Sequence, residues 1–223
     1  MVNNQVHLFP LIRHISKKVT PLLLKTPISG NGVSVLSLIS GLATGWLLMV
    51  GSFNATLVAA IFLVVSYILD NCDGEVARAR GEDSKFGEAL DDFVDWVVHA
   101  IFFFALGTSY SEATADDLWF WLGSAATVGA SINYFIGQYL TFFSHRGERD
   151  EINVDVEKEN VLPSTPLLWG IYIIRELSRA DFCFLVLLLA SIDCLWILLP
   201  TGAFGAQLYW MTQFVHGARQ FHV

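Results

Sequence analysis

Four aspartates stand at helical spacing inside the most highly charged segment of an otherwise apolar chain. Residues 68–96, ILDNCDGEVARARGEDSKFGEALDDFVDW, carry nine carboxylates and three cations. Asp70 and Asp73 share one helix face because they are three residues apart, and Asp91 and Asp95 share another because they are four apart. A short connection between the two helices would form a hairpin and turn these faces toward each other. Four carboxylates at such close range repel one another, and divalent cations remove that repulsion.

The residues around the aspartates favour Mg²⁺ or Mn²⁺ and a nucleotide. Oxygen ligands with no histidine nearby favour these hard cations over zinc. Gly74, Ala77 and Gly87 lie on the same faces as the aspartates, and their small size leaves the backbone open to a flat ligand. Arg78 offers a planar fork that suits phosphate oxygens. Together these residues predict a nucleoside diphosphate site with in-line displacement at phosphorus.

In this order and spacing the residues resemble the signature of the CDP-alcohol phosphotransferase family. The match is Asp70-x2-Asp73-Gly74-x2-Ala77-Arg78-x8-Gly87-x3-Asp91-x3-Asp95, in which all eight fixed positions are present. The resemblance implies a metal-dependent enzyme whose two metal ions, Mg²⁺ or Mn²⁺, are held by Asp70, Asp73, Asp91 and Asp95. Asp95 would also be the catalytic base that takes the proton of the acceptor hydroxyl.

The resemblance also implies how the CDP moiety is bound. Gly74, Ala77 and Gly87 would line the cytidine slot, and Arg78 would bind the diphosphate. The stretch SGNGVS at 29–34 is similar to the family's Thr-Pro-Asn-x-Val-Thr opening, although Gly30 and Ser34 depart from it. Asn31 carries over directly and is a further candidate near the nucleotide.

The composition predicts an all-α integral membrane protein. Of 223 residues, 54% are hydrophobic and only 15% are charged, with a mean hydropathy of +0.52. A soluble domain usually has about 25% charged residues. The net charge of −8 argues against nucleic acid as a partner. We therefore expect membrane lipids to surround the protein.

Hydropathy predicts six transmembrane helices after an N-terminal amphipathic helix. Residues 8–24 place apolar side chains at helical spacing opposite Arg13, Lys17 and Lys18, which is typical of a helix lying at the membrane interface. The chain thus divides into a juxtamembrane helix, residues 1–25, and a transmembrane phosphotransferase domain, residues 26–223. The predicted spans are 31–52, 54–81, 84–109, 116–144, 165–191 and 194–219.

The distribution of cations predicts the orientation. Lysines and arginines precede the first span and occupy the connections after the second and fourth spans, whereas the connections 51–55, 109–117 and 191–195 have none. The positive-inside rule therefore places both termini and the charged segment on the cytoplasmic side of a bacterial or archaeal-type inner or plasma membrane.

Two further features suggest an acceptor site and a partner. Arg175 and Arg179 lie one turn apart inside the fifth predicted span, where a cation is costly. They could contact the acceptor phosphate or the donor diphosphate, or they could pair with Glu176 and Asp181. The fourth span is rich in small residues that allow close helix approach, which together with the family resemblance predicts a homodimer. These small residues are Gly123, Ser124, Ala126, Gly129 and Ala130.

The resemblance implies transfer of a phospho-alcohol group from a CDP-linked donor to an alcohol, with release of CMP, in phospholipid synthesis. The donor expected for a chain of this size is CDP-diacylglycerol, and the acceptor is a small polar alcohol. An alternative within the family transfers a polar head group, for example from CDP-inositol, to a second alcohol or lipid. Members with phosphorylated acceptors often carry basic residues in the fourth span, and the stretch YFIGQYL at 134–140 has none. A divalent-cation transporter is the alternative from another class.

Overall fold

The computed structural model describes residues 10–144 and 181–220, and within them the side-chain surroundings of residues 10–140 and 181–212. Every regular element in these ranges is helical, as predicted. The elements are α1 (Leu11–Leu23), α2 (Gly30–Met49), α3 (Phe53–Arg80), α4 (Lys85–Thr114), α5 (Asp117–Ser144), α6 (Phe182–Ser191), a 3₁₀ turn (Leu195–Ile197) and α7 (Leu198–Gln220). The polar stretch 145–164 and most of the predicted fifth span lie outside the described residues.

Serine caps and one glycine determine where the site-bearing helices begin and end. Ser29, Ser52 and Ser84 accept hydrogen bonds from backbone N–H groups in the first turns of α2, α3 and α4, which stabilises those starts. Gly81 ends α3 with φ of 66°, a left-handed conformation that glycine adopts without steric cost. The predicted helical hairpin is therefore confirmed, with α3 ending at Arg80 and α4 beginning at Lys85.

Helix α2 packs against both α3 and α4, whereas those two helices have little backbone contact with each other. The close approach of α2 depends on Gly41 and Gly45, whose missing side chains leave room for Val98 and Ile101 of α4. The glycine pair is thus a helix-packing feature. Because α2 lies between α3 and α4, the facing surfaces of these two helices do not pack closely against each other and leave space between them.

Helix α1 is fixed to the bundle by polar contacts as well as by packing. Its first backbone N–H groups, those of Leu11 and Ile12, donate to the two carboxylate oxygens of the fully buried Asp181 at 2.7 and 2.9 Å. One helical stripe of α1, formed by Ile12, Ser16 and Thr20, is buried against the bundle. The buried face is therefore largely polar, while Leu22 of the predicted apolar face is 60% exposed. The pattern predicted the helix correctly but missed its docking face.

The small residues of α5 pack within the chain. Gly123 faces Gly107 of α4, and Gly129 faces Ala206 and Gln207 of α7. Ala126 is 1% exposed. The small-residue pattern therefore does not support a homodimer, because the neighbours that require these small residues belong to the same chain.

Among the helices that the structure describes, α2 and α3 have the length and hydropathy needed to cross a membrane, with mean hydropathies of 1.7 and 1.9. Helix α4 has charged residues along its first half, and the described part of α6 is too short, so helix length and composition do not establish the predicted count of six spans. Large apolar side chains are nevertheless exposed along several helices, among them Trp46 (69%), Trp121 (66%) and Phe204 (72%). Such extensive exposed apolar surface is unusual for a soluble monomer.

Candidate active site

Three of the four motif aspartates converge between α3 and α4. Carboxylate oxygens of Asp70, Asp73 and Asp91 all lie within 4.8 Å of one another. Asp70 and Asp73 come from the last three turns of α3, and Asp91 comes from the second turn of α4. The hairpin and the spacer helix α2 thus bring together residues that are about twenty positions apart in sequence. The sequence prediction that these aspartates form a cluster is correct for these three.

The carboxylate oxygens in this cluster are only partly satisfied. Asp73 is buried, and it accepts hydrogen bonds from the Ser34 hydroxyl and from the backbone N–H of Gly74. The Oδ1 atom of Asp91 is buried and has no hydrogen-bond partner among the described residues. A buried carboxylate oxygen without a donor is costly, and cation coordination would satisfy it. The three carboxylates therefore fit a hard divalent cation such as Mg²⁺ or Mn²⁺.

Asp95 does not belong to the tight group. It lies one turn farther along α4, and its side chain is exposed. Its backbone carbonyl accepts a 2.7 Å hydrogen bond from Nδ1 of His99. The other ring nitrogen of His99, Nε2, lies 2.7 Å from the hydroxyl of Tyr67 on α3. A Tyr67–His99 pair therefore bridges α3 and α4 just beyond the carboxylates.

The small motif residues have different neighbours from one another. A Cβ atom on Gly74 would lie 3.0 Å from Nη1 of Arg78, so the glycine leaves room for the guanidinium. Ala77 instead packs on Gly30 of α2, where an added Cβ would lie 2.8 Å from the alanine Cβ. A Cβ on Gly87 would lie 3.1 Å from Oδ1 of Asn31. Asn31, the further candidate from the sequence, therefore lies beside the motif.

A cavity of about 650 Å³ opens over the aspartate cluster. Its walls combine carboxylates and cations from α1, α3 and α4. The lining residues are Arg13, Lys17, Asp70, Asn71, Asp73, Gly74, Glu75, Arg78 and Asp91. Ala77, Gly87, Asn31 and Asp95 are not part of this lining. A space of this size with opposing charges suits a polar, phosphate-bearing ligand.

Two acidic residues of the segment have interactions that the sequence pattern did not indicate. Glu75 would be a solvated residue by pattern, but its two carboxylate oxygens accept hydrogen bonds from the hydroxyls of Ser16 and Thr20 on α1. Asp92 accepts a 3.0 Å hydrogen bond from Gln138 of α5. Both contacts join distant parts of the chain, so nothing in the local sequence reveals them.

The proposed acceptor arginines, Arg175 and Arg179, lie outside the described residues. Asp181, one of their possible partners, is described, and both of its oxygens already accept α1 backbone N–H groups. The residues that the sequence analysis missed are mainly those of α1. The sequence pattern places Arg13 and Lys17 opposite the apolar side of an interfacial helix and does not assign them to the site.

Comparison with known proteins agrees with the motif. A family model described as CDP-alcohol phosphatidyltransferase matches residues 28–153, which is more than half of the chain. The match contains the whole of α2, α3 and α4 and thus every aspartate of the signature.

Three curated relatives match part of the chain, and each is named "Bifunctional IPC transferase and DIPP synthase". The protein from Aquifex aeolicus is 30% identical over 131 residues, which are 58% of this chain and 28% of that protein. The protein from Archaeoglobus fulgidus is 27% identical over 146 residues, 62% of this chain and 30% of the relative. The one from Thermococcus kodakarensis is 30% identical over 121 residues, 54% of this chain and 26% of the relative. The chain thus spans less than a third of the length of each.

Proposed function

The chain belongs to the CDP-alcohol phosphatidyltransferase family, and we propose that it transfers a phospho-alcohol group from a CDP-linked donor to an acceptor hydroxyl, releasing CMP. The observation that carries this proposal is the convergence of Asp70, Asp73 and Asp91 within 4.8 Å, beside Arg78 and under a cavity of about 650 Å³. These are the groups needed to hold a diphosphate in a fixed orientation. The family is membrane-associated, and transferase activity follows from membership.

In this proposal the aspartates hold two divalent cations, Mg²⁺ or Mn²⁺. Asp70, Asp73 and Asp91 are the central ligands, and the unpartnered Oδ1 of Asp91 is the atom that most needs a cation. Ser34 orients Asp73 by donating to its carboxylate. When bound, the cations neutralise charge on the diphosphate and stabilise the phosphorus centre during displacement. Asp95 would complete the ligand set from its position one turn farther along α4.

Donor binding requires the residues around Gly74. Arg78 donates to the diphosphate, and Gly74 provides the space in which its guanidinium lies. Gly87 and Asn31 lie together at the start of α4 and would border the cytidine. Ala77 would contribute indirectly, since its small side chain admits the N-terminus of α2.

The transfer step needs a base for the acceptor hydroxyl, and Asp95 is the candidate. The acceptor oxygen forms a bond to phosphorus, the bond from phosphorus to the CMP oxygen breaks, and the hydroxyl proton passes to the Asp95 carboxylate. An exposed carboxylate beyond the tight cluster is accessible to an acceptor. A positioned base contributes roughly 10²–10⁴-fold to such a step.

Two donors remain candidates. CDP-diacylglycerol would make this a phosphatidyl-transferring enzyme of phospholipid synthesis with a small polar alcohol as acceptor. The names of the three relatives favour the second candidate, a CDP-linked polar head group such as CDP-inositol, joined to another alcohol or lipid. The same cluster and the same Arg78 would serve either donor.

The membrane arrangement is also a proposal. We infer a transmembrane domain over residues 26–223 with six spans, with the cavity and both termini on the cytoplasmic side. The apolar residues exposed on α2, α5 and α7 support contact with lipid on several sides. A homodimer would have to use such exposed faces, because Gly123, Ala126 and Gly129 of α5 are already packed within the chain. Cation transport fits poorly, since Arg13, Lys17 and Arg78 line the same cavity as the carboxylates and would repel a permeating cation.

The proposal is tested by following CMP release from purified protein in lipid discs. CDP-diacylglycerol and CDP-inositol are supplied separately, each with Mg²⁺, Mn²⁺ or EDTA and with a panel of alcohols. We expect CMP release from one donor, dependent on a divalent cation and on one class of acceptor. Turnover that persists in EDTA would contradict the metal site, and absence of release from both donors would contradict the function.

A further inference from the structure

Two cations of α1 line the cavity although the motif does not include them. Arg13 and Lys17 line the same cavity as Arg78 and the aspartate cluster, but they come from α1, whereas Arg78 comes from α3. Arg78 alone is the cation that the signature provides for the donor diphosphate. The cavity therefore contains two more positive charges than the donor site requires.

The docking of α1 determines which of its cations face the cavity. Ser16 and Thr20 contact Glu75, and successive residues of a helix are about 100° apart. Lys17 therefore lies directly beside the docked stripe. Arg13 lies one turn closer to the N-terminus than Lys17, on the same face of α1. Lys18 points about 200° away from Ser16 and is not part of the cavity lining.

Structural partners do not account for these two cations. Both oxygens of Glu75, the acidic residue on the same side of the cavity, accept hydroxyl hydrogen bonds from α1. Among the described residues, no carboxylate forms an ion pair with Arg13 or Lys17. Both side chains are exposed to the cavity. Two cations one helical turn apart that have no ion-pair partner among the described residues are suited to bind the oxygens of one phosphate group.

We propose that Arg13 and Lys17 form a second phosphate-binding subsite, which holds the phosphate of the second substrate while Arg78 and the metal cluster hold the donor diphosphate. The inference rests on the proposed function for its second substrate, but the binding of phosphate itself does not. It explains how a phosphorylated acceptor can be bound although YFIGQYL in α5 has no basic residue. The cations come from α1 instead of the fourth span.

The phosphate could belong to a soluble acceptor or to the head group of a membrane lipid, and one binding experiment distinguishes these sources. The full chain is placed in discs of phosphatidylcholine with Mg²⁺ and saturating CMP, and binding of inorganic phosphate is measured by calorimetry. The Arg13→Gln/Lys17→Gln double variant is compared with Lys18→Gln, a matched control on the same helix. We expect at least about a tenfold loss of phosphate affinity in the double variant and little change in the control.

A second set of discs contains phosphatidylglycerol in place of part of the phosphatidylcholine. If a lipid head group occupies the subsite, phosphate affinity of the unmodified protein falls in these discs, and that of the double variant falls much less. If both affinities fall equally, or if neither falls, the lipid does not compete for the subsite, which then serves a soluble phosphorylated acceptor.

Equal phosphate affinity of the unmodified protein and the double variant in neutral discs would overturn the inference. An equal loss in Lys18→Gln would overturn it as well, because the effect would then be general surface charge. Melting temperatures of all variants show whether the fold is retained. The phosphate measurement does not depend on CMP release. It can therefore be interpreted even if the transferase proposal fails.

Discussion

The α3–α4 site and the α4–α5 interface use glycine for opposite purposes. At the site, the three atoms nearest to a Cβ placed on Gly74 all belong to the flexible end of Arg78. At the interface, Gly107 and Gly123 face each other so closely that a Cβ on either would lie 2.8 Å from the other's Cα. One glycine keeps room for a ligand-binding side chain, and the other two let backbones approach.

This difference shows where the molecule gains stability and where it loses it. At the interface, the missing side chains of Gly107 and Gly123 let backbone atoms of α4 and α5 pack directly against each other. The site brings like charges together and leaves Oδ1 of Asp91 unpartnered, which costs stability unless a cation is bound. Substitutions in the site should therefore affect binding and turnover, and substitutions in the interface should affect stability.

Asp91→Asn should have the largest effect on activity. We expect Mg²⁺-dependent nucleotide binding to be lost and turnover to fall below detection, because the variant removes a charged ligand from the centre of the cluster. The metal-free variant should also melt at a higher temperature than the metal-free original, since like-charge repulsion is relieved. Calorimetry with CDP and thermal unfolding in EDTA measure the two effects.

Asp92→Asn is the matched control for this prediction. Asp92 is the next residue on α4, is exposed and contacts Gln138. We expect its nucleotide binding and turnover to stay within about twofold of the original, as for most surface substitutions. If Asp92→Asn were as inactive as Asp91→Asn, the loss would reflect α4 in general and the cluster would have no special role.

Asp95→Asn should separate transfer from binding. The asparagine retains the size and one oxygen but cannot accept the acceptor proton. We expect donor and metal binding near the original values, with turnover at least roughly 100-fold slower. Pre-steady-state transfer rates and donor affinity are measured on the same preparation. Normal turnover would contradict the base assignment, whereas loss of donor binding would make Asp95 chiefly a metal ligand.

Much of this fold follows from local sequence signals. Helix starts at α2, α3 and α4 lie within one residue of the predicted spans, because serine caps and apolar runs mark them in the sequence. The docking of α1 could not be predicted, since it depends on Asp181, about 170 residues away. The buried stripe of α1 is also largely polar, whereas the sequence pattern predicts an apolar docking face.

The candidate site, like the fold, could be predicted from the sequence only in part. Spacing alone predicted the convergence of Asp70, Asp73 and Asp91, because helix periodicity and a short hairpin constrain it. Spacing could not separate Asp95 from that group, since i+4 periodicity places it on the same face as Asp91 without giving its distance from α3. Neither Ser34 nor the cavity-facing side of α1 has a local signal, because both depend on which helix packs beside α3.

Gly74→Ala should have a moderate effect on binding and almost none on stability. The added Cβ would lie 3.0 Å from Nη1 and 3.4 Å from Nη2 of Arg78, so the guanidinium must move. We expect donor affinity to fall about tenfold through a weakened phosphate contact. The melting temperature should hold or rise, because alanine is about 1 kcal/mol better than glycine in a helix. A large loss of stability would show that Gly74 is a packing residue like Gly123.

Gly123→Ala should have the smallest effect on turnover and a clear effect on stability. Its Cβ would lie 2.6 Å from the carbonyl oxygen of Phe103 and 2.8 Å from the Gly107 Cα, which are backbone atoms that cannot move without separating α4 from α5. Such overpacking costs about 1–3 kcal/mol. Gly137→Ala on the same helix is the control, because no atom of the described residues lies within 4 Å of its added Cβ and helix propensity should stabilise it. Thermal unfolding and turnover per folded molecule are compared for both. If Gly123→Ala were as stable as Gly137→Ala but bound donor poorly, the division between an open site and a packed interface would be wrong.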